Sequence, residues 1–101
     1  MNKNSNIFLN KKILVYGLGK SGISTFNFLK RYNKISLFDD LKIIKLKKEF
    51  KNKLISINKV KKLEFDLIIL SPGININKCK LKNFLKKNSK IIYSDLDVFY
   101  S

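Results

Sequence analysis

Three short segments of this chain consist of residues that could bind a phosphorylated ligand. They are Gly17-Leu18-Gly19-Lys20-Ser21-Gly22, which fits the pattern G-x-G-x-x-G, then Asp39-Asp40, and then Ser71-Pro72-Gly73. Backbone N–H groups of a glycine turn at the start of a helix bind phosphates, and a carboxylate accepts hydrogen bonds from ribose hydroxyls. The three segments together predict a nucleotide-binding site.

Each glycine of the first segment has its own predicted role. Gly17 allows a tight turn after a strand, Gly19 lets an anionic ligand approach bare backbone, and Gly22 lets the following helix pack closely on the strand. The Ser21 hydroxyl and the Lys20 ammonium would add donors to those of the backbone. The alternative is a glycine turn that serves close packing alone.

The other two segments each leave alternatives open. Asp39 or Asp40 could accept hydrogen bonds from ribose hydroxyls or from the N–H of a uracil, or the pair could be solvated and cap the next helix. Neighbouring residues on a strand point in opposite directions, so this pair is poorly placed for general acid–base catalysis. Pro72 and Gly73 could shape the wall of a nucleotide pocket with Ser71, or form only a turn that ends a strand.

Strands and helices alternate along the predicted fold. The predicted strands are Lys12–Tyr16, Ile35–Phe38, Leu54–Ile57, Phe65–Leu70 and Lys90–Tyr93. The predicted helices are Ser21–Tyr32, Leu41–Lys53, Lys80–Lys87 and Leu96–Tyr100, with Ser94-Asp95 as the cap of the last and a connection or helical turn over Asn58–Leu63. This order predicts an α/β fold, namely a Rossmann-like open parallel sheet of about five strands with helices on both faces. Residues 1–11 are a polar lead-in, in which Ile7-Phe8-Leu9 is expected to pack on the domain edge, and residues 12–101 form one domain.

The predicted topology brings the three segments together. Each of them directly follows an apolar strand of the sheet. Because right-handed crossovers place the carboxyl ends of parallel strands at one edge, a ligand would bind in the crevice at that edge.

The chain has few residues suited to catalysis. It contains no histidine, a single cysteine (Cys79) and no G-x-x-x-x-G-K-[ST] loop for ATP. We therefore expect no catalytic residue and no metal site in this chain, and we interpret Cys79 as a reduced cytosolic thiol.

The formal net charge of +15 invites a nucleic-acid interpretation. However, 21 lysines, 14 isoleucines and 12 asparagines account for 47 of the 101 residues, a bias that AT-rich codons would produce. The lysines are scattered and Arg31 is the only arginine, whereas RNA- and DNA-binding surfaces concentrate arginine and aromatic residues. We expect no specific nucleic-acid partner, and the sequence contains neither a secretion signal nor an apolar run long enough for a membrane span.

Four stretches together resemble the N-terminal domain of the Mur ligases. They are KILVYGLGKSGIST (Lys12–Thr25), LFDD (Leu37–Asp40), FDLIILSPGI (Phe65–Ile74) and SDLDVF (Ser94–Phe99). The third and fourth stretches are more specific than the glycine loop, and the similarity is greatest to the branch of the family that adds D-glutamate. The chain departs from the family pattern at two places. Asp97 stands where that branch usually has glutamate. Asp40-Leu41 stands where many members have a Thr-Arg pair that helps to hold the uracil, and Lys42 could take over that role here.

The resemblance implies a role in anchoring a substrate. The first domain of a Mur ligase holds the UDP of a UDP-sugar-peptide, here UDP-N-acetylmuramoyl-L-alanine. The resemblance implies that Lys20 and Ser21 meet the diphosphate, that Asp39 and Asp40 lie by the uracil and ribose, and that Ser71 to Gly73 line the pocket.

The same resemblance implies what this chain would lack. In the family, the sites for ATP, magnesium and D-glutamate lie in two later domains, so this chain would be an inactive N-terminal piece of an ATP-dependent, amide-forming ligase of peptidoglycan synthesis. We expect it to bind no cofactor itself, to be monomeric and to be cytoplasmic. The alternative is an NAD(P)-binding Rossmann domain of an oxidoreductase or a regulatory sensor.

Overall fold

The computed structural model describes residues 8–41 and 47–99 as an α/β domain. Its strands are β1 (Lys12–Tyr16), β2 (Lys34–Phe38), β3 (Leu67–Leu70) and β4 (Ile92–Ser94). Its helices are α1 (Lys20–Leu29), α2 (Lys48–Lys51), α3 (Ile57–Lys62), α4 (Lys82–Lys87) and α5 (Asp95–Phe99), and a 3₁₀ turn over Ser89–Ile91 precedes β4.

The four strands form one parallel sheet in the order β2-β1-β3-β4. In the middle of the sheet, Val15 of β1 pairs with Leu37 of β2 on one side and with Ile69 of β3 on the other. The chain progresses outward from β1 to β2 and then crosses back to β3, so the direction of winding reverses beside β1. Open α/β sheets bind ligands at such a reversal point, beyond the carboxyl ends of the strands.

Helices cover both faces of the sheet, as predicted. On one face Ile13 and Val15 pack in a core cluster with side chains of α1, α2 and α5, including Phe26, Phe50 and Val98. On the other face Leu14 and Tyr16 pack with α3 and α4; the buried members of that cluster are Leu14, Tyr16, Phe38, Val60, Ile68, Leu81 and Leu85. Because β1 is covered on both sides, its apolar residues run continuously instead of alternating with polar ones.

The predicted strand over Leu54–Ile57 is wrong as a strand. It is reduced to a single parallel bridge between Leu37 and Leu54, in which the Ile55 N–H donates to the Leu37 carbonyl at 3.0 Å. The pairing stops there because Ser56 caps α3, accepting a hydrogen bond from the Lys59 N–H at 3.2 Å. The described sheet therefore has four strands, not five, with a short edge contact outside β2.

Several predicted boundaries shift by a few residues. Helix α1 ends at Leu29 and not at Tyr32, since the Asn33 side-chain amide donates to the Leu29 carbonyl at 3.0 Å and also binds Phe8. Of the predicted contact of Ile7-Phe8-Leu9 with the domain edge, Phe8 is buried, Leu9 is exposed, and Ile7 lies outside the described residues. Of the helix predicted over 41–53, the structure shows only Lys48–Lys51 as α2, and residues 42–46 lie outside the described part of the chain.

The closing helix α5 has a reciprocal cap. The Ser94 hydroxyl accepts a hydrogen bond from the Asp97 N–H at 3.2 Å, and the Asp97 carboxylate accepts one from the Ser94 N–H at 2.8 Å. This is a capping box with aspartate in the place of the more common glutamate. It confirms Ser94 as the cap and starts the helix at Asp95, one residue earlier than predicted.

Candidate functional site

The loops that follow β1, β2 and β3 meet at the carboxyl edge of the sheet. The Gly17 N–H donates to the carbonyl of Phe38, the last residue of β2, at 2.9 Å. The Ser71 N–H donates to the carbonyl of Tyr16, the last residue of β1, at 3.0 Å. The structure therefore brings together the three segments that the sequence singled out.

Position 17 requires a glycine because of both its backbone conformation and its surroundings. Its φ of +99° lies in the region that side-chain-bearing residues rarely adopt. A Cβ at this position would also lie 2.6 Å from the Cβ of Ser71. The first and third segments are thus in direct contact, with Ser71 half-buried and with Pro72 and Gly73 exposed at the surface of the edge.

Gly22 holds helix α1 against the glycine turn. A Cβ on Gly22 would lie 1.8 Å from the carbonyl oxygen of Gly17, which is far inside any allowed contact. This is the close helix packing that the sequence predicted for Gly22. It fixes where the first turn of α1 sits relative to the end of β1.

The N-terminus of α1 is open above Gly19. A Cβ on Gly19 would meet no atom within 4 Å, and no side chain of the described residues caps this helix. The N–H groups of the first helical turn have no partner within the helix, and the aligned peptide dipoles place partial positive charge there. No acidic residue occupies that turn, while Lys20 lies exposed beside it. The arrangement suits an anion.

The Ser21 hydroxyl is engaged within the protein. It donates to the Asp95 carboxylate of α5 at 2.6 Å. A hydroxyl has a single proton, so in this arrangement Ser21 can offer an anion its backbone N–H but no side-chain donor. Sequence patterns could not indicate this contact, because its two residues are 74 positions apart.

The Asp39 carboxylate accepts hydrogen bonds from backbone N–H groups of two loops. One of its carboxylate oxygens accepts a hydrogen bond from the Leu18 N–H at 2.6 Å, and the other accepts one from the Leu41 N–H at 2.9 Å. Asp39 therefore ties the glycine turn to the end of β2. Each oxygen keeps a further acceptor direction for a ligand.

Asp40 is held by a different set of groups on the other face of the sheet. Its carboxylate accepts a hydrogen bond from the hydroxyl of Tyr16, and its second oxygen lies 3.4 Å from the Lys80 N–H. Asp40 is half-buried and Tyr16 is completely buried. Tyr16 was predicted only as a strand residue, although a hydroxyl in the otherwise aliphatic run Ile13-Leu14-Val15 was a signal that a buried polar partner exists.

Burial raises the pKa of the Tyr16 hydroxyl well above its ordinary range, and the neighbouring Asp40 carboxylate and Cys79 thiol raise it further. In the unfolded chain the same hydroxyl titrates near its ordinary pKa of about 10. The unfolded state therefore loses this proton first, so the stability that Tyr16 contributes is complete below about pH 10 and declines above it.

This difference gives a prediction for the pH dependence of folding. Between the two pKa values the free energy of unfolding should fall by about 1.4 kcal/mol per pH unit through this group. Denaturant unfolding of the wild type and of Tyr16→Phe, measured from neutral pH to above pH 10, isolates the effect, because the lysines titrate in both proteins. The stability advantage of the wild type should shrink as the pH rises, and an advantage that stays constant would contradict the assignment.

The comparison with known protein families gives a match over most of the chain. The family model described as "Mur ligase MurD-like, N-terminal domain" matches residues 11–93. The chain belongs to this family. The family resemblance seen in the sequence is thereby confirmed, and the matched residues include β1, the glycine turn, both aspartates and the segment after β3.

Curated relatives of this MurD-like domain agree with the family match. It is 38% identical over 94 residues to a UDP-N-acetylmuramoylalanine–D-glutamate ligase of Rickettsia bellii, covering 89% of this chain and 20% of the relative. A protein of the same name from Buchnera aphidicola (subsp. Baizongia pistaciae) is 41% identical, and the match covers 91% of this chain. One from Haemophilus influenzae is 31% identical, and the match covers 93% of this chain. Each of these two matches covers 22% of the relative's length. The chain thus spans about a fifth of the length of these relatives. No solved structure gave a significant match.

Within residues 8–41 and 47–99, no three histidine, cysteine, aspartate or glutamate side chains form a group that could hold a metal ion. No helix in the same ranges is long and apolar enough to cross a membrane.

Proposed function

We propose that this MurD-like domain anchors the UDP part of UDP-N-acetylmuramoyl-L-alanine for an ATP-dependent ligase that adds D-glutamate. Family membership and the names of the relatives supply the substrate class. The fold supports the proposal because the loops at the carboxyl edge join at the reversal point of the sheet, where α/β domains bind nucleotides.

The observation that carries the proposal is the exposed start of α1. Gly19 leaves open space where a side chain would otherwise stand, and the first-turn N–H groups around Lys20 and Ser21 are not capped by any described side chain. A diphosphate in that space would accept hydrogen bonds from the backbone and lie at the positive end of the helix dipole. The net charge of +15 further favours the approach of an anion.

The acceptors at the end of β2 fit the nucleoside part. Asp39 and Asp40 each have one or more acceptor directions not used by the protein, and both are half-buried at the carboxyl edge. Ribose hydroxyls and the imide N–H of uracil are donors that a fixed carboxylate can accept. The diphosphate would then run along the glycine turn, with Ser71 to Gly73 forming the adjacent wall.

The reaction itself would take place outside this domain. We propose that ATP and magnesium act in other parts of the ligase, where the substrate carboxylate is activated as an acyl phosphate and attacked by the amine of D-glutamate. The anchor would hold the UDP end of the substrate while the reacting end reaches the ATP site. We further propose that the 101-residue chain binds UDP as a monomer and does not form the amide bond on its own.

A titration with UDP and with NAD⁺ tests the ligand directly, because the G-x-G-x-x-G turn followed by an acid at the end of β2 also fits a dinucleotide. Isothermal titration calorimetry should give saturable UDP binding that persists at high salt, and weaker or no binding of NAD⁺. Binding of NAD⁺ without a response to UDP would overturn the proposal. A UDP signal that disappears with added salt would indicate only nonspecific attraction to the lysine-rich surface.

A further inference from the structure

Tyr16 is a buried aromatic residue with a hydroxyl at the end of an aliphatic strand. Its side chain has no exposed surface, and its ring packs edge-on against Phe38 of β2 with the centroids 5.4 Å apart. The ring is therefore fixed by packing, and so is the direction of its hydroxyl. A buried hydroxyl needs a partner, and here that partner is the carboxylate of Asp40.

Asp40 joins three parts of the carboxyl edge. It follows β2 in the chain, one oxygen accepts from Tyr16 at the end of β1, and the other lies 3.4 Å from the N–H of Lys80 in the segment before α4. Cys79 packs against the same side-chain cluster as Tyr16. The carboxylate is thus held at a defined place in the crevice, although a strand-end aspartate could otherwise turn toward solvent.

We infer that Tyr16 is a positioning residue for recognition of the nucleotide base: its hydroxyl fixes the Asp40 carboxylate so that it accepts a hydrogen bond from a base that has a ring imide N–H. This inference rests on the proposed function. It gives Tyr16 a role in the site that the sequence did not predict, and it assigns the base selectivity to Asp40.

The chemistry of the two groups favours uracil over cytosine at ring position 3. A carboxylate offers acceptors only, and the single proton of the Tyr16 hydroxyl is used to hold it. Uracil has a proton on ring nitrogen N3 and can donate to such a group. The N3 of cytosine is itself an acceptor, so cytosine could be bound only through its 4-amino group, after a shift of the ring. A carboxylate that is free to rotate away would lose this discrimination, so the hydroxyl of Tyr16 affects base selectivity without touching the base.

Binding of UDP, CDP and inorganic pyrophosphate to four forms of the full 101-residue chain tests this inference. The forms are the wild type, Tyr16→Phe, Asp40→Asn and the control Tyr93→Phe, which removes a hydroxyl from a half-buried tyrosine of β4. Circular dichroism and thermal unfolding establish that each form is folded. Asp40→Asn keeps an oxygen that can accept from Tyr16, so it changes the chemistry of the acceptor while keeping its anchor.

The wild type should bind UDP more tightly than CDP. Tyr16→Phe should weaken UDP binding about tenfold and reduce the preference over CDP, with pyrophosphate binding unchanged. Asp40→Asn should lose most of the preference because its amide group can donate to cytosine. The control Tyr93→Phe should behave like the wild type.

Two results would overturn the inference, and they are distinguishable from each other. If the wild type prefers UDP and the folded Tyr16→Phe and Asp40→Asn variants keep that preference, Tyr16 has a packing role alone and the proposed function survives. If the wild type binds neither UDP nor pyrophosphate, the proposed function fails and the inference fails with it.

Discussion

Replacing Gly22 with alanine is expected to prevent stable folding of the domain. The new Cβ would lie 1.8 Å from the carbonyl oxygen of Gly17, and that carbonyl has little room to move. Gly17 is held by its N–H bond to Phe38, by contact with Ser71 and by a φ of +99°. Relief would require α1 to separate from the sheet and expose Phe26 and Leu29, which are buried. We expect a loss of more than about 4 kcal/mol, a large part of the stability of a typical small domain.

Thermal unfolding followed by far-UV circular dichroism measures this effect. Gly73→Ala is the matched control, since a Cβ there meets no atom within 4 Å and the residue does not have a positive φ. Its stability should change by less than about 1 kcal/mol. A Gly22→Ala protein that unfolds at the wild-type temperature would show that α1 is not packed on the glycine turn as described.

Replacing Gly19 with valine should abolish UDP binding and leave the fold intact, whereas Gly22→Ala should disrupt the fold itself. The space above Gly19 is empty, so a side chain there meets no protein atom within 4 Å of its Cβ. It would, however, occupy the position through which a diphosphate approaches the start of α1. Losing two charge-assisted hydrogen bonds to the backbone, each worth about 1.5–3 kcal/mol, corresponds to an affinity at least about a hundredfold lower.

Calorimetric titration with UDP, together with an unfolding curve, checks this prediction. Ser24→Val is a suitable control because it places the same valine side chain at an exposed position of the same helix, beyond the first turn. That variant should bind UDP like the wild type. Wild-type affinity in Gly19→Val would mean that the ligand does not lie on this part of the backbone.

Much of the site framework could be predicted because it depends on local sequence. The bounds of β1, Lys12–Tyr16, follow from a continuous apolar run between lysine and glycine, and the structure confirms them. The packing roles of Gly17 and Gly22 follow from the strand–turn–helix order alone. The parallel sheet then required the three segments to meet at one edge, because parallel strands end on the same side.

The contacts that the sequence missed all depend on tertiary packing. The hydrogen bond between Tyr16 and Asp40 joins residues 24 positions apart, and the one between Ser21 and Asp95 joins residues 74 apart. No periodicity links such pairs, so the side chains appeared independent. Leu54 was misassigned for a related reason: a short apolar run suits a strand, but the serine cap of α3 ends the pairing after one bridge.

A UDP titration of the ¹⁵N-labelled chain followed by amide chemical shifts tests directly whether the start of α1 binds the diphosphate. The largest shifts are expected at the backbone N–H groups of Gly19, Lys20, Ser21 and Gly22, with smaller shifts at Asp39 and Asp40 and little change at α4. All of them should saturate with one affinity. Shifts spread over the exposed lysines, or no shift at the start of α1, would contradict the claim that this corner binds the diphosphate.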